Sequence, residues 1–217
     1  MFSHMLRALV FDFDGLILDT ETPLIDSYAE VHAAYGVPFD RQALLDATGD
    51  ADFAFDPWHG FSPHADRAAL EIERRAHKNE MTWRQPILPG VVAMIEAARG
   101  AKLRLGVASN SSHTWVDRHL ERLDLLPYFE CIACRGDAPS PKPEPDLYRL
   151  VLQRFGLSGH EAVAFEDSRT GVLAAKRANL WVVAVPNEAT AHQDFSEADR
   201  RVGSLEKITL AELQGRF

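Results

Sequence analysis

Four short polar clusters hold residues whose types could do chemistry together: Asp12-Phe13-Asp14-Gly15, Ser109-Asn110-Ser111, Lys142-Pro143 and Glu166-Asp167-Ser168. Three of them directly follow an apolar run. Carboxylates gathered in one place repel one another, and a divalent cation is the usual resolution. A ligand set of oxygens alone, without His or Cys, favours Mg²⁺ over zinc. Mg²⁺ also keeps coordination positions for water and for a phosphate oxygen. A lysine and a hydroxyl beside it supply charge and a hydrogen bond to the other phosphate oxygens, and backbone N–H groups at a helix start near Ser111 add more. The set suits phosphoryl transfer, where positioning and charge neutralisation do most of the work. Each cluster alone has a plainer reading. An Asp-x-Asp pair caps turns, Ser109 could open a loop, and a lysine before proline is usually solvated.

Joint action requires a scaffold that brings distant segments to one edge. Five short apolar runs, at 8–11, 103–108, 131–133, 162–165 and 181–185, lack polar alternation and read as strands buried on both faces. Helical stripes lie between the later runs: Trp115, Val116, His119, Leu120 and Leu123 form one, and Leu147, Leu150, Val151 and Phe155 another. Strand–helix alternation from residue 88 onward predicts an α/β fold, a Rossmann-like doubly wound parallel sheet. In such sheets the working residues gather at the carboxyl ends of the strands, where three of the four clusters fall; Lys142-Pro143 falls at a helix start.

The interval 16–87 differs. Thr22-Pro23 reads as an N-cap followed by proline at the first helical position. Leu24, Tyr28, Val31 and Tyr35 follow at helical spacing, Gly36 closes that helix, and 66–78 reads as a second one. Segment 50–63 is aromatic and turn-rich and receives no assignment. Residues 16–88 carry thirteen acids against six bases. The expected organisation is an α/β core from 1–15 and 88–217 with an inserted helical cap subdomain at 16–87.

The 217 residues include 23 Lys+Arg and 32 Asp+Glu, a formal net charge of −9, with 46% hydrophobic and 25% charged residues. These proportions are those of a globular protein rather than a disordered, collagenous or coiled-coil chain. The acid excess argues against nucleic acid or an anionic membrane surface as a partner. No apolar run approaches the ~18–20 residues a membrane span needs. Asp12 comes too early for a cleavable signal peptide, and two cysteines cannot build a disulfide framework. The expectation is a cytoplasmic monomer acting on a small molecule.

Residues 12–21 (DFDGLILDTE), 108–111 (ASNS), 142–146 (KPEPD) and 166–172 (EDSRTGV) resemble, in order and placement, the four motifs of the haloacid dehalogenase superfamily. Over nearly its whole length the chain is similar to the phosphatase and phosphoglucomutase-like branch, which carries a helical cap after the first motif. The resemblance implies roles. Asp12 matches a nucleophile that forms an aspartyl-phosphate. Asp14 matches the acid/base and lends its backbone carbonyl to Mg²⁺. Ser109 and Asn110 match phosphate-holding groups, and Lys142 matches a lysine that bridges nucleophile and phosphate. Asp167 matches a metal ligand, with Glu166 supporting it or binding through water. Mg²⁺ is the implied cofactor and a small phosphorylated metabolite the implied partner. Dehalogenases of the superfamily lack the counterpart of Asp14, so its presence favours phosphate esters.

The implied activity is phosphomonoester hydrolysis. Alternatives are a hexose-phosphate mutase, which resembles the chain in its core, and a non-catalytic binding protein on the same scaffold. Mutases carry a Gly-x-x-Arg pattern in the cap where residues 48–52 (TGDAD) have acids and no arginine, which weighs against that activity. Pro141 replaces the usual glycine before the lysine. Asn179 stands where the family often has glycine, and Asn tolerates the left-handed conformation that ends a helix. Cys131 and Cys134, three apart on a strand, are expected on opposite faces and structural. His59 and His64 could contact substrate or be merely exposed. Trp83 and Trp181 are expected in the core, and Arg74-Arg75 on a solvated helix face.

Overall fold

The computed structural model describes residues 5–47 and 56–217. Six strands form one parallel sheet in the order β3-β2-β1-β4-β5-β6. They are β1 (Ala8–Phe11), β2 (Arg104–Ala108), β3 (Cys131–Ala133), β4 (Ala162–Glu166), β5 (Trp181–Ala184) and β6 (Arg200–Arg201). The first five lie where the apolar runs predict them. The two-residue β6 has no apolar run, so periodicity gives no sign of it.

The two faces of the sheet differ in side-chain size. Leu9, Phe11, Leu105, Val107, Phe165 and Val183 point to one face and pack with α4 (Val91–Gly100), α5 (His113–Arg122) and α8 (Leu210–Gln214). Ala8, Val10, Ala108, Ala164, Val182 and Ala184 point to the other, under α6 (Asp146–Phe155) and α7 (Arg169–Arg177). Each fully buried Leu, Val or Phe contributes about 1.5–3 kcal/mol, so the larger face anchors the sheet. Cys131 belongs to the small-residue face and Cys134 to the other, both as buried free thiols, as the strand period requires. Asn179 takes φ 64° and ends α7 in the expected left-handed conformation.

Three helices precede α4: α1 (Glu21–Ala34), α2 (Arg41–Ala47) and α3 (Arg67–Arg84). The start of α1 lies earlier than Thr22-Pro23 suggests. Asp19 Oδ1 accepts from the N–H groups of Glu21 and Thr22 at 3.2 and 3.0 Å, which places Pro23 inside the first turn. Gly36 (φ 67°) closes α1. Asp66 caps α3 by accepting from the N–H groups of Ala68 and Ala69, and the helix runs six residues beyond the expected end at 78. The buried stripe of α1 is Ile25, Val31 and His32 rather than Leu24 and Tyr35; Tyr35 is exposed. Val31, Trp58 and Leu70 form an apolar cluster apart from the sheet's two. The segments before α1 and after α3 meet side by side, through a Leu18–Ile87 bridge and a 2.9 Å bond from Leu88 N–H to Ile17 C=O.

Two expectations reverse. Trp83 is 41% exposed, its ring covered by the Arg118 guanidinium at 4.6 Å instead of by core. Arg74 is buried, donating to Glu71 and Ser27 and lying over the Tyr28 ring, while Arg75 is solvated as expected. Among the described residues no helix is long and apolar enough to cross a membrane.

Candidate active site

Strand register assembles the site. Phe11 of β1 is level with Val107 of β2 and Phe165 of β4. The next residues, Asp12, Ala108 and Glu166, therefore stand side by side at its carboxyl edge, with Asp12 N–H donating to Phe165 C=O at 2.9 Å. Asp12, Glu166 and Asp167 are all buried, and each offers an oxygen within 4.8 Å of the others. Lys142, from the loop ahead of α6, reaches between them. Its Nζ donates to Asp12 Oδ1 at 2.7 Å and to Glu166 Oε1 at 2.5 Å. Tyr148 of α6 donates its hydroxyl to the same Glu166 oxygen.

Three buried carboxylates thus face one ammonium, and the imbalance shows in their proton affinities. Burial, against the pull of Lys142, pushes Asp12 up to about 7, and Glu166 and Asp14 add to the rise. Burial and then the charges of Asp12 and Glu166 hold Asp167 well above the carboxylate range. Burial opposes charge on Lys142 as well, but Asp12 and Glu166 overcome it and keep the ammonium above the usual lysine range. A divalent cation would relieve this excess of negative charge, and the all-oxygen donor set suits a hard cation.

Two glycines make the close packing possible. Gly15 sits at φ 74°, and a Cβ there would lie 2.2 Å from Asp167 Oδ2. Asn187, just beyond β5, donates to that oxygen at 2.8 Å and to Gly15 C=O at 3.3 Å, fixing Asp167 against the loop after β1. Gly171 lies against Glu166, whose Oε2 is buried without a hydrogen-bond partner; an added Cβ would fall 1.8 Å from it. Glu166 cannot retreat, because Lys142 and Tyr148 hold its other oxygen. Gly171→Ala is accordingly expected to destabilise the fold by about 1–3 kcal/mol or more. A urea midpoint equal to wild type would show that Glu166 has room to move.

Asp14 is placed differently. Its carboxylate is not part of the acidic cluster. Oδ2 accepts from the Ser111 hydroxyl at 2.6 Å and more weakly from Ser109 at 3.5 Å, and Oδ1 accepts from the Trp115 indole N–H at 2.9 Å. Ser109, buried at the end of β2, accepts from Ser111 N–H at 3.0 Å. The Asn110 side chain is turned to the lysine loop: Oδ1 accepts from Lys142 N–H at 2.8 Å and Nδ2 donates to Lys142 C=O at 3.2 Å. Trp115 packs edge-on against His119 at 4.4 Å. Burial and then the Arg122 charge lower His119 to about 4, so His119 itself adds no charge beside Asp14 near neutral pH. Glu21, in the first turn of α1, is raised by burial and by the Asp14 charge, which marks it as a further acid at this edge.

Sequence reasoning brought Asp12, Glu166, Asp167 and Lys142 to one place, with Asp14 and Ser109 beside them. It missed Tyr148, Asn187, Glu21 and the use of Trp115. Tyr148 lies within α6 and Asn187 three residues past the end of β5; nothing local points to the partner of either polar group or of the indole N–H. His59 and His64 are exposed, and residues 48–52 lie outside the described residues. A cleft of about 600 Å³ between α3 and α5 is lined by Asn79, Trp83, Trp115, Arg118 and His119. A hollow of about 550 Å³ lined by Met5, Arg7, Lys102 and Phe217 lies at the opposite, amino-terminal edge of β1 and β2 and takes no part in the site.

The family of haloacid dehalogenase-like hydrolases matches residues 9–185, spanning β1 to the end of β5 and all four clusters. The chain is a haloacid dehalogenase-like hydrolase. It falls in the phosphatase branch of these hydrolases. It is 37% identical to YhcW of Bacillus subtilis (strain 168), named as an inferred phosphatase, over 95% of this chain and 96% of that one. It is 31% identical to hexitol phosphatase B of Escherichia coli (strain K12), over 98% of each. Among solved structures, a CbbY variant from Rhodobacter sphaeroides in complex with xylulose 1,5-bisphosphate superposes with a TM-score of 0.73 at 28% identity, over 97% of this chain and 100% of that one. The superposition shows the same fold as that structure.

Proposed function

We propose that this hydrolase is a Mg²⁺-dependent phosphatase of a small phosphorylated carbohydrate, working through an aspartyl-phosphate on Asp12. The observation that carries the reading is the buried Asp12 carboxylate, fixed by Lys142 within an excess of carboxylates at the sheet edge. Asp12 attacks phosphorus, and the bond to the leaving oxygen breaks as Asp14 supplies that oxygen with a proton. Asp14 then takes a proton from the water that attacks the aspartyl-phosphate, which frees Asp12 and inorganic phosphate. Lys142 and Ser109 hold phosphate oxygens. Asn110, with both ends of its amide on the Lys142 backbone, keeps that loop in place.

Asp12, Asp167 and the Asp14 carbonyl would hold Mg²⁺, with Glu166 supporting through Lys142. When bound, the ion neutralises charge on the phosphate and on the acidic cluster. Residues 16–87 form a helical cap that covers the core at 1–15 and 88–217, entering and leaving through the paired segments at Leu18 and Ile87. The carbohydrate assignment is supported by the names of the relatives. The α3–α5 cleft also supports it, since its volume lies in the range of small-molecule sites and it offers the exposed Trp83 ring beside polar groups.

Phosphate release from hexose, hexitol and pentose phosphates, with Mg²⁺ or with EDTA, tests the reading. Release is expected to fall about 10²–10³-fold in EDTA, because the ion supplies several kcal/mol of charge stabilisation, and to return with added Mg²⁺. Release indifferent to EDTA, or no release from any of these esters, would overturn it.

A further inference from the structure

Packing alone does not explain Trp115. It stands in the first turn of α5, half-buried, on a stripe with Val116, His119 and Leu120. A phenylalanine would fill nearly the same space. What the indole adds is one N–H, and that N–H is spent on Asp14 Oδ1 at 2.9 Å. The other oxygen of the carboxylate is held by the Ser111 hydroxyl at 2.6 Å, from just ahead of the same helix. Two donors on two oxygens fix both the position and the plane of the carboxyl group. The ring is braced in turn, with His119 edge-on at 4.4 Å and the Lys78 ammonium of α3 5.1 Å from its centroid. Neither brace competes for the N–H.

We propose that Trp115 is a positioning residue for Asp14: its indole N–H, with the Ser111 hydroxyl, aims the carboxylate that exchanges a proton with the leaving oxygen. This rests on the phosphatase reading and on Asp14 as its acid. A group that positions the acid matters in proportion to how much the leaving group needs a proton. A sugar alkoxide needs one; p-nitrophenolate departs without one. A residue that merely stabilises the fold makes no such distinction.

The test is kcat/KM, which reports the steps through aspartyl-phosphate formation, for Trp115→Phe on p-nitrophenyl phosphate and on the fastest sugar phosphate of the panel. The loss of the hydrogen bond that orients Asp14 predicts about a 10-fold fall on the sugar phosphate and little change on p-nitrophenyl phosphate. Ser111→Ala is expected to show the same selectivity and carries the test if Trp115→Phe folds poorly. In an Asp14→Asn background the Trp115→Phe loss should vanish, since the group it aims is gone. Equal losses on both esters, a loss that persists without Asp14, or no loss at all would overturn the inference while leaving the phosphatase intact. A wild-type protein inert on every ester overturns the phosphatase reading, and this inference with it.

Discussion

Asp12→Asn is expected to release no phosphate above background, a loss of about 10⁴-fold or more, of the size seen when a covalent nucleophile is removed. The substitution keeps the shape of the side chain and an oxygen to accept from Lys142 Nζ, now 2.7 Å away. It removes the charge and with it the nucleophile. The same change is expected to do little harm to stability, and that contrast makes it informative. The wild-type acid is raised from 3.8 to about 7 by burial, so between those values the folded protein binds more protons than the unfolded chain. The contribution of Asp12 to stability in EDTA should therefore fall as pH rises from about 4 to about 7, and be greatest at the acid end of that window. Asp12→Asn removes this contribution, so its melting temperature in EDTA should rise relative to wild type over the same range and match or exceed it near neutrality. An asparagine variant that is inactive and also much less stable at neutral pH would show that Asp12 serves the fold, and its inactivity would then say little about catalysis.

The sequence made the scaffold legible because a parallel sheet leaves a strong trace. Strands covered on both faces must be apolar throughout, and five such runs appear as strands at the expected places. The acids were legible for a related reason: they directly follow those runs, and parallel register brings run ends together, as with Asp12 beside Glu166. What stayed hidden depends on where one polar atom of a large side chain goes. Trp115 reads correctly as a member of the inward stripe of α5, yet the spacing cannot show that its N–H meets a carboxylate 101 residues earlier in the chain. Tyr148 and Asn187 escape for the same reason. Asn110 shows the reverse, since its motif places it near phosphate while its amide closes on the Lys142 backbone. Trp83 and Arg74 exchange their expected environments because a guanidinium can be buried once Glu71 and Ser27 satisfy it, and an indole can stay exposed under Arg118. Residues 16–87 were harder throughout. Their helices bury short stripes against one another, so α2 and the true bounds of α1 and α3 depend on contacts that periodicity does not encode.

Lys142→Met should be costly to both activity and stability. Lys142 is the sole cation bonded to the acidic cluster among the described residues, touching Asp12 and Glu166 at once with its side chain nearly wholly buried. Methionine fills a similar volume and leaves two carboxylates without their partner, and removing one side of a buried ion pair typically costs about 3–5 kcal/mol. Tyr148 still donates to Glu166, so that residue keeps one bond, whereas Asp12 loses the bond that orients it. Turnover is expected to fall at least about 10²–10³-fold, the cost of losing one preorganised charge at a reacting centre. The stability deficit should also depend on metal. In EDTA three acids stand with no counter-charge, whereas millimolar Mg²⁺ binding to the folded state alone restores stability by mass action. The deficit against wild type, measured by urea unfolding, is therefore expected to be larger in EDTA than in Mg²⁺. A deficit identical in the two conditions would mean that cation and lysine do not share the same carboxylates, and the metal would have to be sought away from Asp12 and Asp167.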